Sequence, residues 1–540
     1  MQATALLVRT VGILLLSSGY LLSADPLPGD STESTPPQNW HHMDKASQNY
    51  LGISLNKAYQ DILKNKTSKT VIVGVIDSGI DIEHEDLKDV IWVNEKEIAG
   101  NGIDDDGNGY IDDIHGWNFI GGPDGQHVDD ETLELTRLYR EYEAKYGDKD
   151  VANLSGKAKK EYSTYLKLED AYEAELLENQ QMLQQYEQIY GAFQMFKPML
   201  EAELDGAELT EENLAEITST DDRISQAKGY MEYLFSIGLT EEGAKEGLDY
   251  FSEQVNYNLN LEFDPRDIVG DDPNNPKERY YGNNDVKGPD SDHGTHVAGI
   301  IGAVRGNELG AMGVADNVKI MVLRAVPNGD ERDKDIANAI YYAVNNGAQV
   351  INMSFGKGYS PNKKIVDKAV KYAQKKGVLL IHAAGNDGED IDEVDNFPTK
   401  DLKKAHSGKT VKNWVEVGAT NWGNKEEFVA SFSNFGDKSV DIFAPGVDIY
   451  STYPENEYQN QQGTSMAAPV VTGVAALLMS YFPALSYAQV KDILLKSSSK
   501  FQNEEVNQPG SEELVSFGSL STTGGVVNAF NAVKMASEMN

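Results

Sequence analysis

Residues 70–79 read TVIVGVIDSG, an apolar, β-branched run that stops at Asp-Ser-Gly. A strand buried on both faces has this appearance, because helices covering a parallel sheet remove the usual apolar/polar alternation. Similar runs follow: VKIMVLRAV at 318–326, AQVINMSFG at 348–356, GVLLIHAAGN at 377–386, WVEVGAT at 414–420 and SVDIFAPG at 439–446. Helical patterns stopped by glycine lie between several of them, as in KDIANAIYYAVNNG at 334–347 and IVDKAVKYAQKKG at 365–377. Strand–helix alternation predicts an α/β fold, a mostly parallel sheet with helices on both faces. Ligands of such sheets bind beyond the carboxyl ends of the strands. Asp77, Ser354 and Asn386 all stand at such ends.

One segment breaks the pattern. Residues 121–260 lose the Val- and Ile-rich runs and gain Glu, Leu, Tyr, Gln and Ala, with 31 acidic and 12 basic side chains. Tyr, Leu and Met recur every three or four positions from Glu161 to Leu200, which predicts one or two long amphipathic helices. Pro198 and Gly206 mark a break, with shorter helices expected at 221–237 and 240–256. The segment reads as an inserted, all-α, acidic subdomain. It leaves and rejoins the sheet before His293, so it is expected near the rim of the site.

The rest of the chain divides around this insertion. Residues 1–24 carry one early cation, Arg9, an apolar run from Val11 to Leu22 and a small residue at Ala24. That run has 12 residues, short of the ~20 that cross a bilayer, and reads as a signal peptide. Residues 25–69 form a leader rich in Pro, Ser and Thr and then an N-terminal helix; 70–120 and 261–540 form the α/β body. The expectation is an exported protein, periplasmic or secreted and bacterial in origin by composition, with no stable membrane anchor after cleavage.

Composition narrows the function classes. The 540 residues have room for a full core and a further domain, and 40% hydrophobic content excludes a mainly disordered chain. The net charge of −39 argues against a nucleic-acid partner, whose phosphates require cationic neutralisation. The chain has no cysteine, which removes disulfides, thiolate metal sites and thiol catalysis together.

Three motifs carry chemistry. VIDSGID (75–81) puts Asp77 at a strand end, DHGTHVAGI (292–300) puts His293 and His296 at the start of a small-residue helix, and GTSMAAPVVTGVAALLM (463–479) puts Ser465 in the first turn of a long apolar helix. A serine hydroxyl is a weak nucleophile and needs a base within hydrogen-bond reach. An imidazole suits that task near neutral pH, and a carboxylate holds its tautomer. No HExxH accompanies the histidines, so zinc chemistry is not indicated. Singly, each motif is equally a turn, a packing helix or an N-cap. Together they have the acid–histidine–serine order of subtilisin.

VIDSGIDIEHEDL, HGTHVAGIIGA, INMSFG, HAAGN and GTSMAAPVVTGVAALL resemble the motif set of the subtilisin-like serine proteases, the subtilases. The resemblance covers 70–119 and 261–536 and leaves out the inserted helices. It implies a subtilisin-like three-layer fold and a serine endopeptidase acting on protein or peptide substrates. It also implies that Asp77 orients His293, that His293 is general base and then acid, and that Ser465 is the nucleophile. Asn386 then matches the oxyanion-hole asparagine, and Ser354, Phe355, Gly356, Ala384 and Gly385 match the substrate-binding segments. A processing protease of narrow specificity and a silent binding protein on the same scaffold stay open as alternatives. Acid and histidine, about 32 residues apart in the subtilisin template, are 216 apart here.

NGIDDDGNGYIDDIHGW (101–117) is the remaining strong signal. Asp104, Asp106 and Asn108 alternate, Gly109 permits a sharp turn, Tyr110 can offer a carbonyl, and Asp112 or Asp113 can follow as ligands. This is the opening of an EF-hand-like loop for a hard cation, without the closing glutamate. The expectation is structural calcium in place of disulfides. Since 25–69 shows no compact propeptide, folding is expected to lean on calcium or on the insertion, and deleting 121–260 to abolish soluble enzyme.

Overall fold

The structure, a computed structural model, describes residues 35–149, 154–422 and 427–539. The segment read as a signal peptide lies outside the described residues. The chain forms two compact units. One is Leu135–Phe263; the other comprises the described parts of Pro26–Glu134 and Asp264–Asn540.

The larger unit is built on nine strands: β1 (Val71–Asp77), β2 (Gly116–Asn118), β3 (Val318–Arg324), β4 (Val350–Met353), β5 (Leu379–Ala383), β6 (Trp414–Thr420), β7 (Ile442–Pro445), and two short ones after two separate hairpins. Those hairpins pair β8 (Ile449–Tyr453) with β9 (Glu457–Gln461) and β11 (Glu505–Asn507) with β12 (Leu514–Ser516); the short sheet strands are β10 (Ser499–Lys500) and β13 (Gly525–Val526). The sheet order is β10-β13-β7-β6-β5-β4-β1-β3-β2, and only the β10–β13 pair is antiparallel. Along β1, Val71, Val73 and Val75 enter one core cluster while Ile76 enters another with Met321 and Leu323. Both faces are therefore covered, which explains the unbroken apolar runs.

The helices fall into the two units. In the smaller unit, α1 (Glu134–Tyr146, entering from its last neighbour) precedes α2 (Gly156–Glu203), α3 (Asp222–Ser236) and α4 (Glu241–Glu253). Buried Tyr165, Leu168, Tyr172, Asn179, Met182, Tyr186, Ile189 and Phe193 recur along α2 at spacings of three and four or their sum, a stripe along one face. The break expected across Pro198 and Gly206 falls at its later end: α2 runs through Pro198 to Glu203, with Leu200 fully buried against α3 and the following turn, and Gly206 stands at φ +87° beyond it. Burial of one more apolar turn outweighs the single hydrogen bond that proline removes. Asp221 and Thr240 cap α3 and α4 through their side chains.

In the larger unit, α5 (Asp292–Gly302), α6 (Asp333–Asn345), α7 (Lys363–Lys376), α8 (Thr464–Tyr481), α9 (Tyr487–Ser497) and α10 (Ala529–Met539) cover the sheet. Helix α8 is apolar all round and 89% buried, the core helix of the fold. It meets the length and hydropathy of a membrane span, but β4–β7 and α5 enclose it.

Candidate active site

Asp77 is the last residue of β1. Its Oδ1 accepts a hydrogen bond from Ser78 N–H at 2.9 Å and lies 2.6 Å from His293 Nδ1. A carboxylate only accepts, so this contact places the proton on Nδ1 and leaves Nε2 to act as a base. Helix α5 reaches the strand end because residue 294 is glycine: a Cβ there would lie 2.0 Å from Gly79 O and 3.2 Å from Asp77 Cβ. The strand end is held from β3, where Ala325 N–H donates to Asp77 O and buried Arg324 donates Nε–H to Ser78 O at 2.7 Å.

The electrostatics raise the histidine. Burial pulls its pKa down, but the side chain is 34% open, and Asp77, Asp292 and Asp290 raise it to about 9. His296, one turn on, is buried and faces Gln459 O at 3.1 Å; burial lowers it to about 3. Among the described residues, only His293 of the pair engages a carboxylate.

Ser465 is half-buried in the first turn of α8. Its hydroxyl donates to Ser354 O at 3.3 Å and makes no hydrogen bond to His293 among the described residues. The return contact is Ser354 Oγ–H to Ser465 O at 2.9 Å. The sequence explains why that carbonyl is available. Its helical partner four residues on is Pro469, which has no N–H. Behind Ser354, Asn352 donates to Ser354 Oγ and accepts from Thr472 Oγ1 of α8, so β4 and α8 are tied twice.

Asn386 follows β5, two residues beyond Gly385-preceding Ala384, and its Oδ1 accepts from both the N–H and the hydroxyl of Thr464, at 2.8 and 2.9 Å. With Oδ1 occupied, Nδ2 is the end free to donate. Gly463 lies beside it at φ +147°, a backbone region that favours glycine. A Cβ at 463 would stand 3.4 Å from Asn386 Nδ2 and 3.5 Å from Ser465 N. The space glycine leaves is bounded by two N–H donors, one from a side chain and one from a helix N-terminus, where the helix provides no acceptor.

The expected substrate-binding residues divide. β4 ends at Met353, so Phe355 and Gly356 continue past the ladder. The Phe355 side chain is buried edge-on against His382, a core position rather than a lining one. Ala384 O accepts from Asn396 Nδ2 at 2.8 Å and Asn434 Nδ2 at 3.0 Å, so that carbonyl is occupied. Gly385 N–H donates to Thr464 Oγ1 at 3.1 Å, and Gly385 O accepts from Asn434 N–H. Asn396 and Asn434 lie outside every motif and Thr464 stands inside GTSMAAP beside Ser465; sequence reasoning gave none of the three a role. Asn396 bridges the two segments, its Oδ1 2.8 Å from the position of a Gly356 Cβ.

The 101–117 loop gathers a different acid set from the expected one. Side-chain oxygens of Glu97, Asp104 and Asp106 lie within 4.8 Å of one another, and Glu97 Oε2 is buried without a partner. Three carboxylates so close repel unless a cation joins them, so the residues fit a hard metal ion. Asp112 and Asp113 do not join the cluster. At φ +53° Asp112 turns its carboxylate onto the N–H groups of Asn101 and Gly102. Asp113 is buried and held by Asn94, Asn108 and the Tyr342 hydroxyl; burial raises its pKa. The Asn108 side chain is likewise spent, accepting from Tyr110 N–H at 2.8 Å while donating to Asp113, and the Tyr110 ring packs on Trp117 and Tyr342.

An aspartate–histidine pair, a helix-borne serine and an asparagine amide are the residue types that the serine-hydrolase class of site uses. The chain belongs to the subtilase family: the model of peptidase S8, subtilase family, matches residues 68–518. It is 41% identical over 191 residues to the thermophilic serine proteinase of Bacillus sp. (strain AK1), 35% of this chain and 43% of that one. Subtilisin DY of Bacillus licheniformis is 40% identical over 206 residues, 37% of this chain and 68% of its own. Subtilisin E of Bacillus subtilis (strain 168) is 37% identical over 217 residues, 39% and 52%. The matched segments thus span from under half to about two thirds of these relatives.

Proposed function

We propose that this chain is an exported serine endopeptidase that cleaves protein or peptide substrates through an acyl-enzyme on Ser465. The observation that carries this reading is the 2.6 Å contact of His293 Nδ1 with Asp77 Oδ1, across 216 residues of sequence. In the reaction the Ser465 hydroxyl exchanges the Ser354 carbonyl for His293 Nε2, an adjustment expected when substrate enters. Ser465 Oγ attacks the scissile carbonyl carbon and its proton passes to Nε2. The developing oxyanion accepts from Asn386 Nδ2 and Ser465 N–H. His293 then donates the proton to the leaving amine, and water, activated by the same nitrogen, releases the acyl group. Asp77 stabilises the imidazolium in both steps.

Calcium is proposed at Glu97, Asp104 and Asp106, whose clustered oxygens suit it. When bound it supplies structural charge neutralisation, with no part in bond cleavage. Fluorophosphonate labelling, mapped by mass spectrometry, tests both statements. A single adduct on Ser465, lost in His293→Ala, is expected. Chelation is expected to slow that labelling and lower the melting temperature, and Glu97→Gln to do the same with calcium present. A folded, calcium-loaded protein that takes no label would overturn the catalytic reading and favour a silent scaffold.

A further inference from the structure

The helical unit contains a groove of about 710 Å³ that no step of the proposed reaction uses. Its apolar wall is Tyr190 of α2 and Phe235 from the end of α3, both partly exposed, over the buried ring of Phe193, which lies 6.2 Å from the Phe235 ring. Its rim is acidic: Glu208, Glu211 and Glu242 line it, are exposed, and form no ion pair among the described residues. Two lysines also line it, and both are already neutralised. Lys197 Nζ lies 2.6 Å from Glu241, and Lys245 pairs with Asp249 one turn along α4. The groove therefore offers aromatic faces and uncommitted carboxylates, but no uncommitted cation.

We propose that this groove is a binding site for a basic, aliphatic segment of a polypeptide. A lysine or arginine stem covers apolar wall while its charged head meets the rim carboxylates and the ring faces. An acidic ligand would meet only lysines that already have carboxylate partners. The surrounding segment, with 31 acidic against 12 basic side chains from 121 to 260, adds long-range attraction for such a partner. The binding itself does not depend on catalysis; its use as a substrate exosite rests on the endopeptidase reading.

The test uses the full chain with Ser465→Ala, so that peptide is not consumed. Fluorescence anisotropy follows a labelled peptide of alternating lysine and leucine, beside its glutamate–leucine counterpart. The basic peptide is expected to bind, more weakly as salt rises, and the acidic one not to bind. Combined Glu211→Lys and Glu242→Lys is expected to weaken binding about fivefold or more. Both positions are exposed, so the fold is retained. Phe235→Leu, which keeps the core filled, is expected to weaken binding about twofold or more through loss of the ring face. Equal binding of the two peptides, or binding unmoved by the charge reversals, overturns the proposal. Labelling of Ser465 in the Glu211→Lys, Glu242→Lys protein separates the two readings. An adduct without peptide binding discards the exosite alone, and peptide binding without an adduct discards the protease reading alone.

Discussion

At Asn386 one amide is divided between two tasks. Its oxygen is spent on Thr464, which leaves the nitrogen as the donor. Asn386→Ala should lower kcat by about 10²–10³ with KM little changed, the loss known for this donor in subtilisin, a member of the same family. Steady-state kinetics on a peptide ester checks it; a loss confined to KM would remove the residue from the oxyanion hole. His293 sets the pH dependence. A base must be neutral to take the serine proton, and its pKa is raised to about 9. Activity should therefore climb from pH 6.5 towards 9. Asp292→Asn keeps the acceptor for His293 N–H but removes one carboxylate, so the midpoint of the kcat/KM profile should move down. The stability contribution runs the other way: it is complete below 6.5 and is lost as pH rises through about 9.

The decisive element is the first turn of α8. Pro469 frees the Ser465 carbonyl, Ser354 Oγ–H satisfies it, and the Ser465 hydroxyl answers onto Ser354 O. Ser354→Ala leaves that part-buried carbonyl without its donor. A cost of about 1–3 kcal/mol in unfolding free energy is expected, together with lower kcat from a less firmly placed nucleophile. Chemical denaturation and kinetics on the same preparation check the pair; unchanged values of both would show that water replaces the hydroxyl. The motif GTSMAAP thus carries more than the proposed nucleophile. The proline four residues after Ser465 belongs to the reason the helix start is docked on β4.

For the whole molecule, the ends of the insertion matter most. Arg332 Nη2 lies 2.8 Å from Glu131 and 3.5 Å from Asp264, so both stems meet on one guanidinium within the larger unit. Residues 121–134 belong to that unit as well. Val128 is in its core, and Glu134 pairs with buried Lys357, the residue after Gly356. Deleting 121–260 therefore removes part of the sheet unit, and loss of soluble protein would say little about the helices. Replacing 135–263 by a short Gly/Ser linker should leave a folded unit that still takes fluorophosphonate on Ser465. Aggregation of that variant, with calcium present, would establish that the helical unit is needed for folding.

The sheet, the strand ends and the motif residues are legible in the sequence because they follow from local patterns. Doubly buried strands lose alternation, and glycine or a turn ends each run. The helical character of the insertion was legible too, through spacings of three and four residues. Side-chain direction was not. Asp113 turns to Tyr342, 229 residues away, and Asp112 turns at a left-handed position, while Glu97, outside the motif, joins the acidic cluster. Asn396 and Asn434 converge on Ala384 O from separate loops, and the Ser465 hydroxyl faces Ser354 O. Local chemistry determined which residues could act. Only the packing of distant segments decided which atoms they present, because a hydrogen bond depends on direction and on partners that the chain brings together late in sequence.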